Sequence, residues 1–510
     1  MIFRSLSVAI PFSCLLYGGF TEGYGISKRN TTASDLCVSL QLQYPDLVNL
    51  PLSLTYIDQN QDYWNEQAWL GPACVVAPKS ASDVSTFVKA FEAHQVPFAV
   101  KGGGHMAIVG SNNIDSSGIM ISFVNLATKS LSADNQTASI GPGNIWADVY
   151  EFLEPYDLLV PGGRVGIVGV PGLSLGGGMS FLSGQHGWSS VSIKAYEVVL
   201  ASGDIITATA DNSYSDLFWA LKGGGNSFGI VTRFDYQTYP APVTWAGIST
   251  YTSDQYPQWL DAIYNFAEYG SIDYPNAAII PISMYTPALS SEPYPSTILF
   301  NNGSDTTGLE NFTAPKLTPT LSTFSQRSLS AWATEIDSGT AILHGDRERF
   351  HNIVAYNSPN ASNIINDVYM SAAQEMLNAV NSLENALAIM PVSKDWVRVS
   401  DGKVPMGLSV DEAPYLIVEQ SLTWALDIDD AAIESFIETV NQRLDAALEA
   451  EGLKSDFYYM NDADSGQPVF EGYGCDNVNR LQSIRDKYDP KKLFTTLLPG
   501  GWKVANVTSC

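Results

Sequence analysis

The sequence predicts an α+β protein built from two lobes. The chain has 510 residues, which is too long for a single hydrophobic core. Residues 67–240 mix short strand-like runs with helical runs, which is typical of an α+β domain. Residues 241–452 alternate strand-like runs with longer helical ones, which favours a sheet with helices on one face.

In the first lobe, the apolar pattern predicts alternating strands and helices. A short strand ends at Pro78, Ser82 follows as a candidate N-cap, and apolar residues from Val84 to Phe91 recur at helical spacing. A helix is also predicted over Trp146–Leu153, with Tyr150 and Leu153 on its apolar face. Further strands are predicted at 96–100, 119–123, 193–200 and 205–208.

The second lobe carries longer elements. Strands are predicted at 278–284 and 415–424, and helices at 368–387 and 431–450, where apolar residues recur every three to four positions. A final segment, 453–510, follows this lobe. We see no internal repeat and no low-complexity linker.

Composition excludes one class of partner. Acidic residues outnumber basic ones by 53 to 26, so the formal net charge is −27. Such a surface repels phosphates, and nucleic acid is therefore not an expected partner.

The N-terminus predicts a secreted protein. Residues 1–20 carry Arg4 and an apolar run, which is typical of a signal peptide, and Pro11 interrupts the run too early for a membrane anchor. Residues 21–66 form a polar lead-in. Six Asn-x-Ser/Thr sites support passage through the secretory pathway. They begin at Asn30, Asn135, Asn302, Asn311, Asn360 and Asn506.

Four cysteines lie beyond the predicted leader, at positions 37, 74, 475 and 510. An even number favours disulfide pairing in an oxidising compartment. Their spacing fits no zinc site, and no metal is predicted. Cys475 and Cys510 either pair or stay free; the residues alone leave both open.

Three glycine-dense segments dominate the first lobe. They read KGGGH at 101–105, GGRVGIVGVPGLSLGGGM at 162–179 and KGGGNSFGIVT at 222–232. Because glycine has no β-carbon, a large ligand can lie against bare backbone N–H groups, and a phosphate or pyrophosphate is the usual ligand of such a loop. Neither a Walker A loop nor the Gly-x-Gly-x-x-Gly turn of a Rossmann fold is present.

In order and spacing, these segments resemble those of FAD-linked oxidases of the vanillyl-alcohol-oxidase type, in the branch that is similar to berberine bridge enzyme. The C-terminal stretch YYMNDAD at 458–464 and RLQSIRDKYDPKKLF at 480–494 fits as well. The resemblance implies a p-cresol-methylhydroxylase-type (PCMH-type) FAD-binding domain at 67–240. It implies a substrate domain of antiparallel sheet covered by helices at 241–452, and a segment 453–510 that returns to the FAD domain.

The resemblance also implies a covalent cofactor. Family members attach the flavin 8α-methyl group to a histidine that matches His105, and many add a bond from a cysteine in Gly-x-Cys-Pro-x-Val-Gly. Val165 stands in place of that cysteine, so a single link to FAD is expected. The family also implies a Cys37–Cys74 disulfide. The residues implied to contact the cofactor besides His105 are Gly102, Gly103, Gly104, Met106, Gly110, Val168, Gly169, Gly172, Gly176, Gly177, Gly178, Gly229, Ile230, Val231 and Asn461.

Three residues are candidates for acid–base chemistry. Relatives place a base on the strand that matches 415–424, where Glu419 falls at or next to the matching position. A partly desolvated carboxylate has the raised pKa that a general base needs. If period-two alternation turns Glu419 away, Gln420 faces the cofactor and Tyr459 or Asp462 becomes the better candidate. An ordinary solvent-facing glutamate is the competing interpretation.

Together these features predict an FAD-linked oxidase acting on a small natural product. The substrate would give a hydride to flavin N5 while a base takes a proton, and O2 would then be reduced to hydrogen peroxide. A carbohydrate oxidase is the alternative within the class, weakened by Val165; a secreted flavin-binding protein without turnover is the alternative outside it. A monomer without a membrane span is expected.

Overall fold

The computed structural model describes residues 31–510 apart from positions 242, 341–344, 381 and 509. The predicted signal peptide at 1–20, the first part of the lead-in and Asn30 lie outside these residues. None of the helices in the described ranges is both long enough and apolar enough to cross a lipid bilayer.

The strands and helices follow one another along both lobes. The strands are β1 (Val48–Asn49), β2 (Val75–Val76), β3 (Phe98–Lys101), β4 (Ile119–Ser122), β5 (Lys129–Leu131), β6 (Thr137–Ile140), β7 (Leu158–Leu159), β8 (Ile193–Val199), β9 (Ile205–Thr209), β10 (Ile230–Gln237), β11 (Tyr239–Pro240), β12 (Thr244–Thr250), β13 (Ala277–Tyr285), β14 (Tyr294–Asn302), β15 (Leu321–Ser322), β16 (Ser325–Gln326), β17 (Arg347–Tyr356), β18 (Glu384–Val392), β19 (Tyr415–Trp424) and β20 (Lys454–Ser455). The helices are α1 (Ala33–Gln43), α2 (Leu54–Gln61), α3 (Ala81–His94), α4 (Trp146–Leu153), α5 (Val170–Leu175), α6 (Ser183–His186), α7 (Ser215–Ala220), α8 (Tyr256–Asn265), α9 (Ser271–Asp273), α10 (Leu329–Thr340), α11 (Ala361–Met376), α12 (Lys394–Ser400), α13 (Asp430–Ala450), α14 (Cys475–Tyr488) and α15 (Leu493–Thr496).

In its described residues the first lobe contains two larger sheets and the two-stranded pair β7–β11. One has the order β1-β2-β4-β3, in which β2 and β3 both run parallel to β4. The other, β5-β6-β10-β8-β9, is antiparallel throughout. This mixture of sheets and helices confirms the α+β class.

Helix α3 begins earlier than the sequence pattern indicated. Its N-cap is Ser80, whose hydroxyl accepts the backbone N–H of Asp83, so the prediction of Ser82 is wrong. Both serines satisfy the compositional preference for an N-cap. The backbone is extended at Ser80 and helical directly after it, and only Ser80 therefore lies where the free N–H groups can be reached.

The second lobe is built on one large antiparallel sheet. In the described part of the chain, its strands run in the order β15-β12-β14-β13-β18-β19-β17-β20, with β16 also paired to β12. One face packs against α8, α11 and α13 through a core that includes Trp259, Tyr369, Phe436 and Val418. The sheet covered by helices is therefore confirmed.

One predicted helix is half wrong. Helix α11 ends at Met376, and the residues from Glu384 onwards form strand β18 between β13 and β19 instead of continuing a helix to 387. The run ENALAIMPV is apolar enough to satisfy either period, and pairing on both sides decides for the strand.

The C-terminal segment packs against the first lobe. The backbone N–H of Phe98 donates to the carbonyl of Leu497 at 2.7 Å, and the Tyr473 hydroxyl donates to the carbonyl of Gly223 at 2.9 Å. The implied Cys37–Cys74 disulfide is confirmed, and Cys475 pairs with Cys510.

Candidate active site

A cavity lies where the glycine loops of the first lobe, strand β19 and the C-terminal segment meet. Most residues that the sequence proposed for the cofactor lie in its wall. They are Gly102, Gly103, Gly104, His105, Met106, Val168, Gly169, Gly172, Gly176, Gly229, Ile230, Val231 and Asn461. The three proposed acid–base residues Glu419, Tyr459 and Asp462 lie in the same wall.

Two glycine loops touch backbone to backbone at this cavity. A β-carbon on Gly103 would lie 2.6 Å from Cα of Gly169, and one on Gly169 would lie 2.5 Å from N of Gly103. Real side chains do not approach so closely, so both positions require glycine. The result is a wall of open backbone, which suits a phosphate-bearing ligand.

Gly110, Gly177 and Gly178 are not part of this wall as the structure describes it. Gly177 and Gly178 have φ values of +97° and +82°, and β-carbons there would meet Met406 and Leu173 within 3 Å. These two glycines therefore serve a tight turn and close packing. Gly110 also has a positive φ, with open space around it.

The His105 ring is held between aromatic neighbours. Its centroid lies 4.8 Å from that of Trp64 and 6.5 Å from that of Phe350. The backbone N–H of Trp64 donates to the carbonyl of Gly104 at 3.0 Å. The lead-in and strand β17 of the second lobe therefore fix the ring at the cavity.

Strand alternation at Glu419 is settled by packing. Gln420 is buried on the helix-covered face, where its amide exchanges hydrogen bonds with Asn441 of α13 at 2.7 and 3.1 Å. Glu419 points to the opposite face and into the cavity wall. Burial raises the pKa of the Glu419 carboxyl, and the charge of Arg164 opposes that rise.

The Tyr459 hydroxyl is an acceptor for two donors. The backbone N–H of Met179 and the amide of Asn461 both donate to it, each at 2.9 Å. With both lone pairs occupied, its own proton is left to be donated. Burial raises the pKa of the Tyr459 phenol, so the group stays protonated.

Asp462 is the second carboxyl group of the wall. Its residue is 8% exposed, and its Oδ2 has no hydrogen-bond partner among the described residues. Burial, and next the charge of Glu419, raise the pKa of Asp462 well above its usual range, while Arg164 opposes the rise.

Sequence reasoning did not single out Arg164. It lies in the cavity wall, and its Nη1 is 2.9 Å from Sδ of Met390 on β18. Its loop is held from behind, because the Asp337 carboxylate accepts the backbone N–H of Ile167 at 3.1 Å. Phe350 was also missed; it lies on β17, in a stretch without a recognisable motif.

Comparison with known proteins identifies the family. A family model described as "FAD binding domain" matches residues 72–209. The FAD-dependent monooxygenase prx3 of Penicillium roqueforti is 32% identical over 521 residues, covering 99% of this chain and 98% of the relative. The chain belongs to the PCMH-type FAD-linked oxidoreductases. It is an FAD-dependent oxidoreductase, and the glycine-walled cavity fits that cofactor.

Solved structures agree on the fold of this family. BBE-like 1 of Physcomitrella patens superimposes with a TM-score of 0.73 at 17% identity, covering 91% of this chain and 97% of that one. The xylooligosaccharide oxidase of Myceliophthora thermophila C1, solved with xylobiose, gives a TM-score of 0.73 at 19% identity, covering 91% and 98%. At these identities the likeness extends to the fold alone.

Proposed function

We propose that this oxidoreductase oxidises a small organic substrate, of the kind found in secondary metabolism, beside a single FAD bonded to His105. The observation that carries the proposal is that His105, Glu419, Tyr459 and Asp462 share one cavity. When bound, FAD supplies a hydride acceptor at N5 and passes the electrons on to O2.

The chain's own residues would divide the remaining work. Glu419 holds a carboxylate where a substrate O–H, N–H or C–H proton can be taken up. Tyr459, with both lone pairs occupied, donates its proton to a polar atom of the substrate or cofactor. The glycine loops at 102–104 and 169–176 bind the cofactor through backbone atoms, and Asn461 is held by the Leu173 carbonyl at 3.1 Å.

Val165 supports a single link. It lies in the cavity wall at the position where doubly linked relatives carry cysteine, and valine cannot form a thioether. The absence of this cysteine also weighs against a carbohydrate oxidase, because the oligosaccharide oxidases of the family commonly carry a doubly linked flavin. Within the proposal, the protein is a monomer of the secretory pathway. The two disulfides support the secretory pathway, because such bonds persist in oxidising compartments.

Monooxygenation is the second candidate function, favoured by the name of the Penicillium roqueforti relative.

A yellow protein that keeps its colour through acid precipitation supports the covalent cofactor. Anaerobic bleaching of the flavin by compounds of a natural-product panel then identifies reductants. A reductant turned over in ¹⁸O2 separates the two reactions: an oxidase releases labelled hydrogen peroxide, whereas a monooxygenase places label in the organic product. A protein that no compound bleaches would contradict the proposal.

A further inference from the structure

We propose that Glu419 and Asp462 form one acid–base unit that shares a single proton, with Arg164 balancing the charge of the remaining carboxylate. The inference rests on the proposed function for its catalytic meaning. The protonation state itself is a property of the oxidised protein and needs no substrate.

Three separate elements bring these groups together. Glu419 comes from β19, Asp462 from the C-terminal turn and Arg164 from the loop after β7, and all three side chains lie in one cavity wall. Asn352 is the cross-strand partner of Glu419 and accepts the backbone N–H of Tyr459 at 3.0 Å. The backbone N–H of Asp462 in turn donates to the carbonyl of Tyr459 at 3.1 Å. The turn that carries Asp462 is therefore fixed beside Glu419.

Two carboxyl groups in one cavity wall oppose each other's ionisation, because the charge of Glu419 raises the pKa of Asp462. Asp462 has an Oδ2 without a partner among the described residues, which is where a shared proton can reside. Three groups face the pair: Arg164, Tyr459 and the buried Glu348 of β17. Burial raises the pKa values of Tyr459 and Glu348, which favours the neutral form of each. In the described part of the wall, Arg164 is the side chain that carries positive charge.

One anion and one cation then leave the unit neutral overall. During oxidation the substrate loses two hydrogens, one as hydride to the flavin and one as a proton to the anionic carboxylate. The unit passes from one proton to two and returns the extra proton to solvent before the next turnover. Arg164 favours the anionic form and so keeps the unit from taking up its second proton too early.

Infrared spectroscopy of the oxidised holoenzyme at about pH 8, where an ordinary carboxyl group is ionised, tests the shared proton. The wild type should show the C=O stretching band of a buried protonated carboxyl. In Asp462→Asn this band should lose intensity, and in Glu419→Gln it should shift in frequency. Glu348→Gln is the matched control: it removes the contribution of a different buried carboxyl and should leave the band that responds to Asp462→Asn unchanged. An unchanged band in both Asp462→Asn and Glu419→Gln would overturn the proposal.

Rates give a second, independent arm. If the two carboxyls act as one unit, each single variant should lower the rate of flavin reduction by ~10²–10⁴-fold and the double variant by about the same factor. A double variant whose rate falls by the product of the two single losses would contradict a shared unit.

Arg164→Met should move the acidic limb of the reductive pH profile to higher pH. Arg164→Lys should return the limb most of the way to its wild-type position. An acidic limb that does not move in Arg164→Met excludes Arg164 from the role. If no substrate reduces the flavin, the proposed function fails while the infrared arm still decides the pair.

Discussion

Glu419 and Asn352 face each other across β19 and β17, and the side-chain oxygen of Asn352 accepts the backbone N–H of Tyr459 at 3.0 Å. The strand that carries the proposed base and the turn that carries Tyr459 and Asp462 are therefore joined through one buried amide. The Asn352 amide also donates to the carbonyl of Val418 at 3.2 Å, so both ends of its side chain are used.

Replacing Asn352 by alanine should loosen this junction. A buried backbone N–H left without its acceptor costs about 1–3 kcal/mol, so the free energy of unfolding should fall by that order, measured by denaturant titration. Flavin reduction should slow while flavin attachment remains. Gln442→Ala, which removes an exposed amide from α13, is the control. A variant with wild-type stability and wild-type reduction would show that the junction does not hold the turn.

His105→Ala should give protein whose flavin is released by acid or denaturant. The proposal places the covalent bond on the His105 ring, and no other cavity-wall residue that the structure describes is a histidine. Flavin fluorescence of the protein band on a denaturing gel measures the outcome. His94→Ala, which removes an exposed histidine at the end of α3, should keep the fluorescent band. A fluorescent band in His105→Ala would assign the bond elsewhere.

The wild-type protein should carry one flavin link only. Val165 lies in the cavity wall and offers no sulfur. The four cysteines beyond the predicted leader are all in disulfides. Mass spectrometry of flavin-bearing peptides should therefore find FAD on the His105 peptide alone. Val165→Cys tests the position itself and should join its own peptide to the His105 peptide through the same flavin. Flavin on any cysteine peptide of the wild type would contradict the account.

Glu348 should make stability depend on pH. Burial, followed by the charges of Asp346 and Glu419, raises the pKa of its carboxyl well above the usual range, although Thr423 donates to it at 2.5 Å. Because the folded-state pKa exceeds the unfolded value of about 4.3, its stabilising contribution is complete below that value and is lost as pH rises toward the folded pKa. Glu348→Gln should therefore show a smaller fall in thermal midpoint between about pH 5 and about pH 8 than the wild type. Equal falls in both proteins would exclude this role.

The sequence was most informative where chemistry is local. Gly102, Gly103, Gly104 and His105 form one continuous loop, and a loop of this kind can be recognised without its surroundings. Strand 415–424 has the bounds that its apolar pattern predicted, because most residues on both of its faces are buried. The direction of Glu419 could not be read from the pattern, since it depends on whether α13 or the cavity lies on that side.

Arg164 illustrates what lies beyond sequence patterns. It stands inside a quoted motif, yet its contact with Met390 spans 226 positions along the chain, and its influence on Asp462 spans still more. Asn352 and Phe350 lie in β17, whose sequence contains no motif that would set it apart from an ordinary strand. Such roles arise from the meeting of two lobes and the C-terminal segment, which no local window contains.

The most direct test of the account is the rate of flavin reduction in Glu419→Gln, measured by anaerobic stopped-flow with a substrate found in the bleaching screen. General-base catalysis is worth ~10²–10⁴-fold, so the reductive rate should fall within that range, while flavin attachment and re-oxidation stay as in the wild type. The acidic limb of the reductive pH profile should disappear as well. Glu438→Gln, on the exposed face of α13, controls for the loss of one carboxylate. A wild-type reductive rate in Glu419→Gln would remove Glu419 from the mechanism.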